Sequence, residues 1–451
     1  MDVRLFRDAG LGNGSYLVDA GGGHGILVDP DRRARRYLQA ASDRELEIRT
    51  VLETHLHADF VSGSLEVREA TGAELHVPAD AAVGFPHRPV RGGERLEIGD
   101  LEVEVVASPG HAPEHLSYVA RADGGRAPTL FSGGALIAGG AARTDLAGDD
   151  LTERLTAQAF DTVHDAFADL PDETVLLPTH GSGSFCSTGS GTEHTSTLGA
   201  ERRTNPLLAM TREDFVGSWP STFPRTPVYF ARMRELNWAG PRLRRDIQLP
   251  PPLTAKDFAD AASRPGSIVV DTRDAASYAE AHGEGALAIP FRDAFPTWLG
   301  WLVPPEAELL FVLGSTSIDD VVDASLLVGL ERFGGYLEGG IDAWREAGFP
   351  VRSLPGIGGE DTVPWLEAGA QALDVREPDE IERGAISGAV AVPLGDLPTR
   401  LDAVPQRRPL LVYCASGMRS TTAASILERA GVGPAVNLRG GYGAWREAGR
   451  D

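Results

Sequence analysis

The stretch Glu53-Thr54-His55-Leu56-His57-Ala58-Asp59-Phe60 decides how the first half of the chain is read. It closes an apolar, strand-like run and precedes a segment predicted to be helical from Ser64 to Ala70. In extended chain, side chains two apart share a face, so His55 and His57 can point at one ion. A third imidazole comes from Ser108-Pro109-Gly110-His111, again where an apolar run ends. Three imidazoles with an open position suit a catalytic Zn(II) or Fe(II) site. Asp59 is the candidate to support the ligands from behind. A lone His-x-His is often incidental; its company is what counts here, including Pro178-Thr179-His180-Gly181 further on.

Working outward, the runs GILVDP, RTVLETH, ELHVP, LEVEVVASPGH, TLFSGG and TVLLPTHG read as strands. Each ends in a turn carrying His, Gly or Asp. That pattern predicts a sheet-rich α/β domain with its chemistry gathered at strand ends. His76, His87, His164, His194 and His282 have no such setting, and His115 reads as structural. The glycines and serines of residues 181–187 can form a backbone cradle near the site. Cys186 within that segment reads as a small buried side chain.

The chain has 451 residues, 42% of them hydrophobic, enough for about three ordinary domains. No apolar run reaches the length of a membrane span. The start, MDVRLFRDAGLGNGSYLVDAGGG, lacks a basic segment followed by an apolar one, so no signal peptide is read and a cytoplasmic location is expected. A net charge of -23, spread along the chain, repels phosphates and argues against nucleic acid as a partner. Two cysteines, Cys186 and Cys414, cannot build a disulfide framework.

Two breaks divide the chain. Leu249-Pro250-Pro251-Pro252-Leu253 cannot continue a helix or a central strand. Leu354-Pro355-Gly356-Ile357-Gly358-Gly359 mixes turn formers and breakers. The predicted domains are 1–249, 254–352 and 358–451. The last two repeat one another in four blocks, and Asp271-to-Trp344 spans 73 residues where Asp374-to-Trp445 spans 71. Each copy alternates apolar strands with helical stretches, which predicts a parallel α/β sheet.

The second decisive string is Leu410-Leu411-Val412-Tyr413-Cys414-Ala415-Ser416-Gly417-Met418-Arg419-Ser420. A strand ends at Cys414, and a helix follows with Ala423, Ile426, Leu427 and Ala430 on one face. The loop Ala415, Ser416, Gly417, Met418 can turn its amides inward, and the helix N-terminus adds positive potential. Arg419 adds a full charge at the rim. These features favour thiolate, making Cys414 a nucleophile and the loop a cradle for an anionic sulfur donor. In the middle copy Leu313 stands at the cysteine position, and Gly314 to Asp320 contain no arginine. That copy reads as a scaffold.

The histidine strings resemble the metallo-β-lactamase superfamily, within it the persulfide dioxygenase branch, whose members carry rhodanese regions behind. Ser196 to Pro206, STLGAERRTNP, is similar to the segment that follows the sheet domain in those fusions. The resemblance implies an N-terminal αββα sandwich followed by two rhodanese-like parallel-sheet α/β domains. It implies metal at His55, His57 and His111, and oxidation of a small thiol persulfide by O₂ to sulfite and free thiol at mononuclear iron. The C-terminal segment is similar to rhodanese domains, whose cysteine carries sulfane sulfur between thiosulfate, sulfite or thiols. Asp374 and Arg376 match that family's supporting DxR element.

Two positions depart from the superfamily pattern. Phe60 replaces the last histidine of His-x-His-x-Asp-His, and Gly134 in Phe131-Ser132-Gly133-Gly134 stands where a carboxylate ligand belongs. A dinuclear hydrolase site would need both, together with Asp59 and His180. A mononuclear metal is the favoured reading, with His180 and Asp59 as polar residues of its pocket. Three other readings stand beside it: a sulfurtransferase with a metal-free binding domain, a one-zinc thioester or lactone hydrolase, and a persulfide sensor or scaffold. Self-association as a homo-oligomer is left open.

Overall fold

The structure, a computed structural model, describes every residue except 123, 182, 189–192, 406–408 and 450–451. The chain divides into two compact units, Met1–Ile247 with Asp323–Leu330, and Gln248–Val322 with Glu331–Asp451. Among the described residues no helix is long and apolar enough to cross a membrane.

The first unit is built on two six-stranded sheets, each with its strands side by side in chain order. The first runs from Asp2–Asp8 to Arg88–Val90 and the second from Arg95–Ile98 to Ser196–Thr197. All six predicted runs are strands: His24–Val28, Glu47–Leu52, Glu74–Pro78, Leu101–Ala107, Thr129–Gly133 and Val175–Pro178. Alternation sorts their side chains onto two faces. Tyr16, Val18, Ile26 and Val28 meet Val103, Val105, Tyr118 and Phe131 between the sheets. Leu17, Leu27 and Val51 face outward and pack under Tyr37, Ala40 and Val67 of the helices Ala34–Ser42 and Ser64–Thr71. On the far side, Val119, Leu130 and Leu176 pack against Val163, Phe167 and Leu198. The result is an αββα sandwich, and the histidine strings lie at the ends of its strands.

In the second unit two five-stranded parallel sheets share one plan. The first contains Pro252–Leu253, Ser267–Asp271, Leu287–Ala288, Glu308–Val312 and Phe333–Leu337. The second contains Gly356–Ile357, Gln371–Asp374, Val390–Ala391, Leu410–Tyr413 and Ala435–Leu438. In both, the lateral order is first, fifth, fourth, second, third strand. The two breaks in the sequence therefore each supply an edge strand, where a proline's missing N–H costs no ladder bond.

The repetition reaches the side chains. Arg273 grips Asp271 with Nε 2.9 Å from Oδ1, and Arg376 grips Asp374 with Nε 3.0 Å from Oδ1. The second arm of each guanidinium also reaches a carbonyl eight residues on, Ala281 at 2.7 Å and Gly384 at 2.8 Å. Bidentate pairs of this kind, with extra bonds to backbone, offset the cost of burying two charges. The helix after the second loop, Met418–Arg429, buries Ala423, Ile426 and Leu427. Ala430, predicted for the same face, lies just past its end and is exposed.

Candidate metal centre and sulfur-transfer loop

The strand His24–Val28 of the first sheet leads into Asp29, whose backbone adopts the left-handed conformation at φ 45°. Such a conformation is uncommon for a non-glycine residue and persists when its surroundings hold it. Here Thr54 donates to Asp29 from its backbone N–H at 2.8 Å and its hydroxyl at 2.7 Å. Thr179 bonds the same carboxylate. One buried acid thus ties together the turns that carry His55, His57 and His180.

His57 presents Nε2 to Glu53 Oε2 at 3.1 Å and to Asp29 Oδ1 at 3.5 Å. Its Nδ1 is buried with no hydrogen-bond partner. Burial opposes charge on His57, but Asp29 and then Glu53 outweigh it and hold the imidazole at about 10. His55 takes Thr54 Oγ1 at Nδ1, 2.8 Å away, and faces His180 with Nε2 to Nε2 at 3.3 Å. His111 gives its Nδ1 to the carbonyl of Arg143 at 2.6 Å, which leaves Nε2 for other use. Burial, followed by the charge of neighbouring imidazoles, keeps His55 and His111 well below the ordinary imidazole range. His180 is held through Nδ1 by Asn13 at 3.1 Å and Asp59 at 3.3 Å.

Donor atoms of His55, His57 and His180 lie within 4.8 Å of one another, and so do those of His111, His180 and Cys186. The expected trio of His55, His57 and His111 is not itself one of these converging groups; its rings adjoin, with His55 4.3 Å from His57 and 4.8 Å from His111 between centroids, and His180 is common to both histidine groups. A metal fits this cluster: converging imidazoles, one with an orphaned nitrogen, each oriented by a hydrogen bond on its other side. A cavity lined by His55, His57, Leu65, Phe85 and Asn237 lies beside it. His115 uses both nitrogens structurally, at 2.8 Å from Ser108 Oγ and 2.9 Å from the N–H of Gly134.

Both departures from the superfamily pattern are filled by the protein itself. Phe60 is buried and stacks flat on His57, centroids 4.2 Å apart. At Gly134 a Cβ would stand 2.5 Å from His111 Cδ2, so the ring occupies the room a carboxylate would need.

In the second unit, Cys414 lies where the strand Leu410–Tyr413 gives way to the loop. The carbonyls of Cys414 and Ala415 accept from the N–H groups of Tyr442 at 2.7 Å and Gly443 at 3.1 Å. With the carbonyls turned away, Gly417 can aim its N–H at Cys414 Sγ, 3.2 Å distant. Ser420 Oγ lies 3.6 Å from the same sulfur and is fixed by Asn437 Oδ1 at 2.7 Å. Asn437 also donates to the Gly417 carbonyl at 3.2 Å. Ala415 and Ser416 are exposed and Met418 is half-buried, whereas Cys414 is 1% exposed. The thiol expected to be reactive at the loop is therefore buried in this structure, while its neighbours Ala415 and Ser416 are at the surface.

The charge of Arg419 at the rim is paired. Both its terminal nitrogens bond Glu380, at 2.6 and 2.7 Å. Asp374 and Arg376 are buried beneath the loop, with the guanidinium 4.2 Å from the Tyr442 ring centroid. At the middle copy's loop, Leu313 is half-buried and Gly314 and Ser315 are exposed.

Residues 10–180 match the Metallo-beta-lactamase superfamily, and residues 363–448 match the Rhodanese-like domain. A hydroxyacylglutathione hydrolase of Methylobacillus flagellatus is 30% identical over 241 residues, spanning 48% of this chain and 90% of its own length. The chain belongs to the metallo-beta-lactamase superfamily. A second relative, a hydroxyacylglutathione hydrolase of Rhodobacter capsulatus, is 32% identical over 209 residues, or 41% of this chain and 77% of that one. A metallo-beta-lactamase structure from Staphylococcus aureus subsp. aureus COL superposes with a TM-score of 0.67 at 27% identity, over 75% of this chain and 98% of that one. This superfamily member therefore carries a rhodanese-like domain at its C-terminal end.

Several residues of the two sites escaped the sequence reading. Asp29 had a usable signal, a carboxylate at the end of an apolar strand. Asn437 had none, because its role depends on packing against the Cys414 loop, and Cys186, in the segment expected near the site, was expected only as a buried side chain. Of the cradle expected over residues 181–187, Ser182 lies outside the described residues.

Proposed function

We propose that the protein is a sulfur-metabolism enzyme that oxidises a small thiol persulfide at a mononuclear metal centre and transfers sulfane sulfur through Cys414. The observation that carries the first half is the orphaned, buried Nδ1 of His57 among converging imidazoles beside a cavity. His55, His57 and His111, with His180 adjoining, would hold the ion. Fe(II) is the proposed metal, and when bound it supplies the redox chemistry that lets O₂ react with the outer sulfur. One persulfide, one O₂ and one water give one thiol and one sulfite, the sulfur losing four electrons to O₂. The chain's part is to orient and to exclude water. Glu53 and Asp29 fix the His57 ring, Arg143 fixes His111, and Phe60 makes one wall apolar.

At the loop, the Cys414 thiolate attacks the outer sulfur of a persulfide, forming Cys414–S–SH and releasing the carrier thiol. Sulfite then attacks that outer sulfur, yielding thiosulfate and regenerating the thiolate. The Gly417 N–H stabilises negative charge on Sγ at each stage. The middle copy, with Leu313 in place of a thiol, serves as scaffold.

The similarity to hydroxyacylglutathione hydrolases favours a second reading, a one-metal thioester hydrolase acting on glutathione adducts. Gly134 weighs against a two-metal version, because its side-chain space is taken by His111. The test is to add glutathione persulfide to iron-loaded protein and follow O₂ and sulfite together. Equal consumption and production, lost in His111→Ala, supports the dioxygenase. Cleavage of a hydroxyacylglutathione by the zinc form, without O₂ uptake by the iron form, overturns it. Thiosulfate formation lost in Cys414→Ser, with O₂ uptake retained, supports the transfer step.

A further inference from the structure

Cys186 is 0% exposed and stands among ligand atoms, within 4.8 Å of His111 and His180 donors. Its placement is built. The backbone N–H of Arg143 binds the Cys186 carbonyl at 2.8 Å, while the Arg143 carbonyl accepts from His111 Nδ1 at 2.6 Å. The Cys186 N–H donates to Ser184 Oγ at 3.1 Å. One residue, itself 3% exposed and anchored through its guanidinium to Asp145 and to the Phe185 and Pro224 carbonyls, therefore sets both His111 and Cys186. Beside them, Asp59 Oδ1 is buried without a hydrogen-bond partner, as is His57 Nδ1.

Charge gives the reason for a thiolate here. The charge of a divalent cation in a buried site must be paired. Gly134 contributes none, and His111 blocks any carboxylate from that side. A thiolate at Cys186 would place a negative charge directly on such an ion, beside the Asp59 carboxylate.

We infer that Cys186 is a metal ligand, its sulfur replacing the anionic ligand missing at Gly134 and binding a divalent ion together with His111 and His180. Coordination forms one metal–sulfur bond and releases the thiol proton to solvent. The donor set, two nitrogens and a sulfur with room for more, suits Zn(II), Co(II) or Fe(II). This inference rests on reading the histidine cluster as a metal centre.

The test uses full-length protein carrying Cys414→Ser, so that Cys186 is the remaining thiol, loaded with Co(II). Sulfur ligation predicts about one cobalt per chain and a thiolate-to-cobalt charge-transfer band in the near ultraviolet. Adding Cys186→Ser should abolish the band while cobalt still binds, with affinity reduced roughly ten- to a hundredfold. Bound cobalt without the band, or a band surviving Cys186→Ser, overturns sulfur ligation and leaves the metal centre standing. No cobalt bound by the unsubstituted chain overturns both. Should the double variant fail to fold, X-ray absorption of the zinc-loaded Cys414→Ser chain decides: a sulfur shell near about 2.3 Å supports the ligand, and nitrogen and oxygen alone overturn it.

Discussion

The ring of His111 lies against the α-carbon of Gly134, in the space that a side chain there would fill. The glycine and the histidine orientation are therefore one feature, and restoring a carboxylate would displace a ligand.

Gly134→Asp should bind metal about ten- to a hundredfold more weakly than the parent, measured by competition with a chelator. Tighter binding than the parent would mean that the ring yields to the new carboxylate.

Gly441 has φ 60°, and a Cβ there would run into the Cys414 carbonyl and the Ala415 backbone. Gly441→Ala should cut thiosulfate formation at least about tenfold while O₂ uptake is unchanged. The strained φ alone costs roughly 1–2 kcal/mol, so a thermal melt of the second unit should also fall. Full transfer activity would show that the loop anchors are dispensable.

Leu313→Cys in the Cys414→Ser background should regain no transfer. The loop it joins carries Asp319 and Asp320 where an anion would approach, and no arginine. Thiosulfate formation above background in that variant would end the scaffold assignment of the middle copy.

Glu380 gives a pH signature. Burial favours its neutral form, but Arg419 outweighs burial and holds the carboxyl below its ordinary 4.5. A depressed folded-state value contributes stability that is complete above pH 4.5 and lost as pH falls through the lower folded value. The pair is partly exposed, so its worth is about 1 kcal/mol or less. The parent should exceed Glu380→Gln by that amount at neutral pH, and denaturant melts should show the gap closing below pH 4.5. A gap that persists unchanged into strong acid contradicts the assignment.

Much of this molecule was legible in advance. Alternating apolar runs fixed the strands of the sandwich, because a strand with one face inward and one under helices must show that pattern. The repeat of Asp271 and Trp344 in Asp374 and Trp445 foretold a shared sheet plan. The pairing of Arg419 has no local signal, because its partner, Glu380, lies 39 residues away and on a different helix. Cys186 was read by composition, as a buried thiol. Its burial was right, but its neighbours depend on how the Arg143 backbone folds, which no local spacing reveals.

The Asp–Arg grip present in both copies separates what the sheet needs to fold from what its chemistry needs. A duplicated module that sheds its nucleophile yet keeps this buried ion pair shows that the pair answers to architecture. In other proteins of this build, the pair alone should not be taken as a sign of a working thiol.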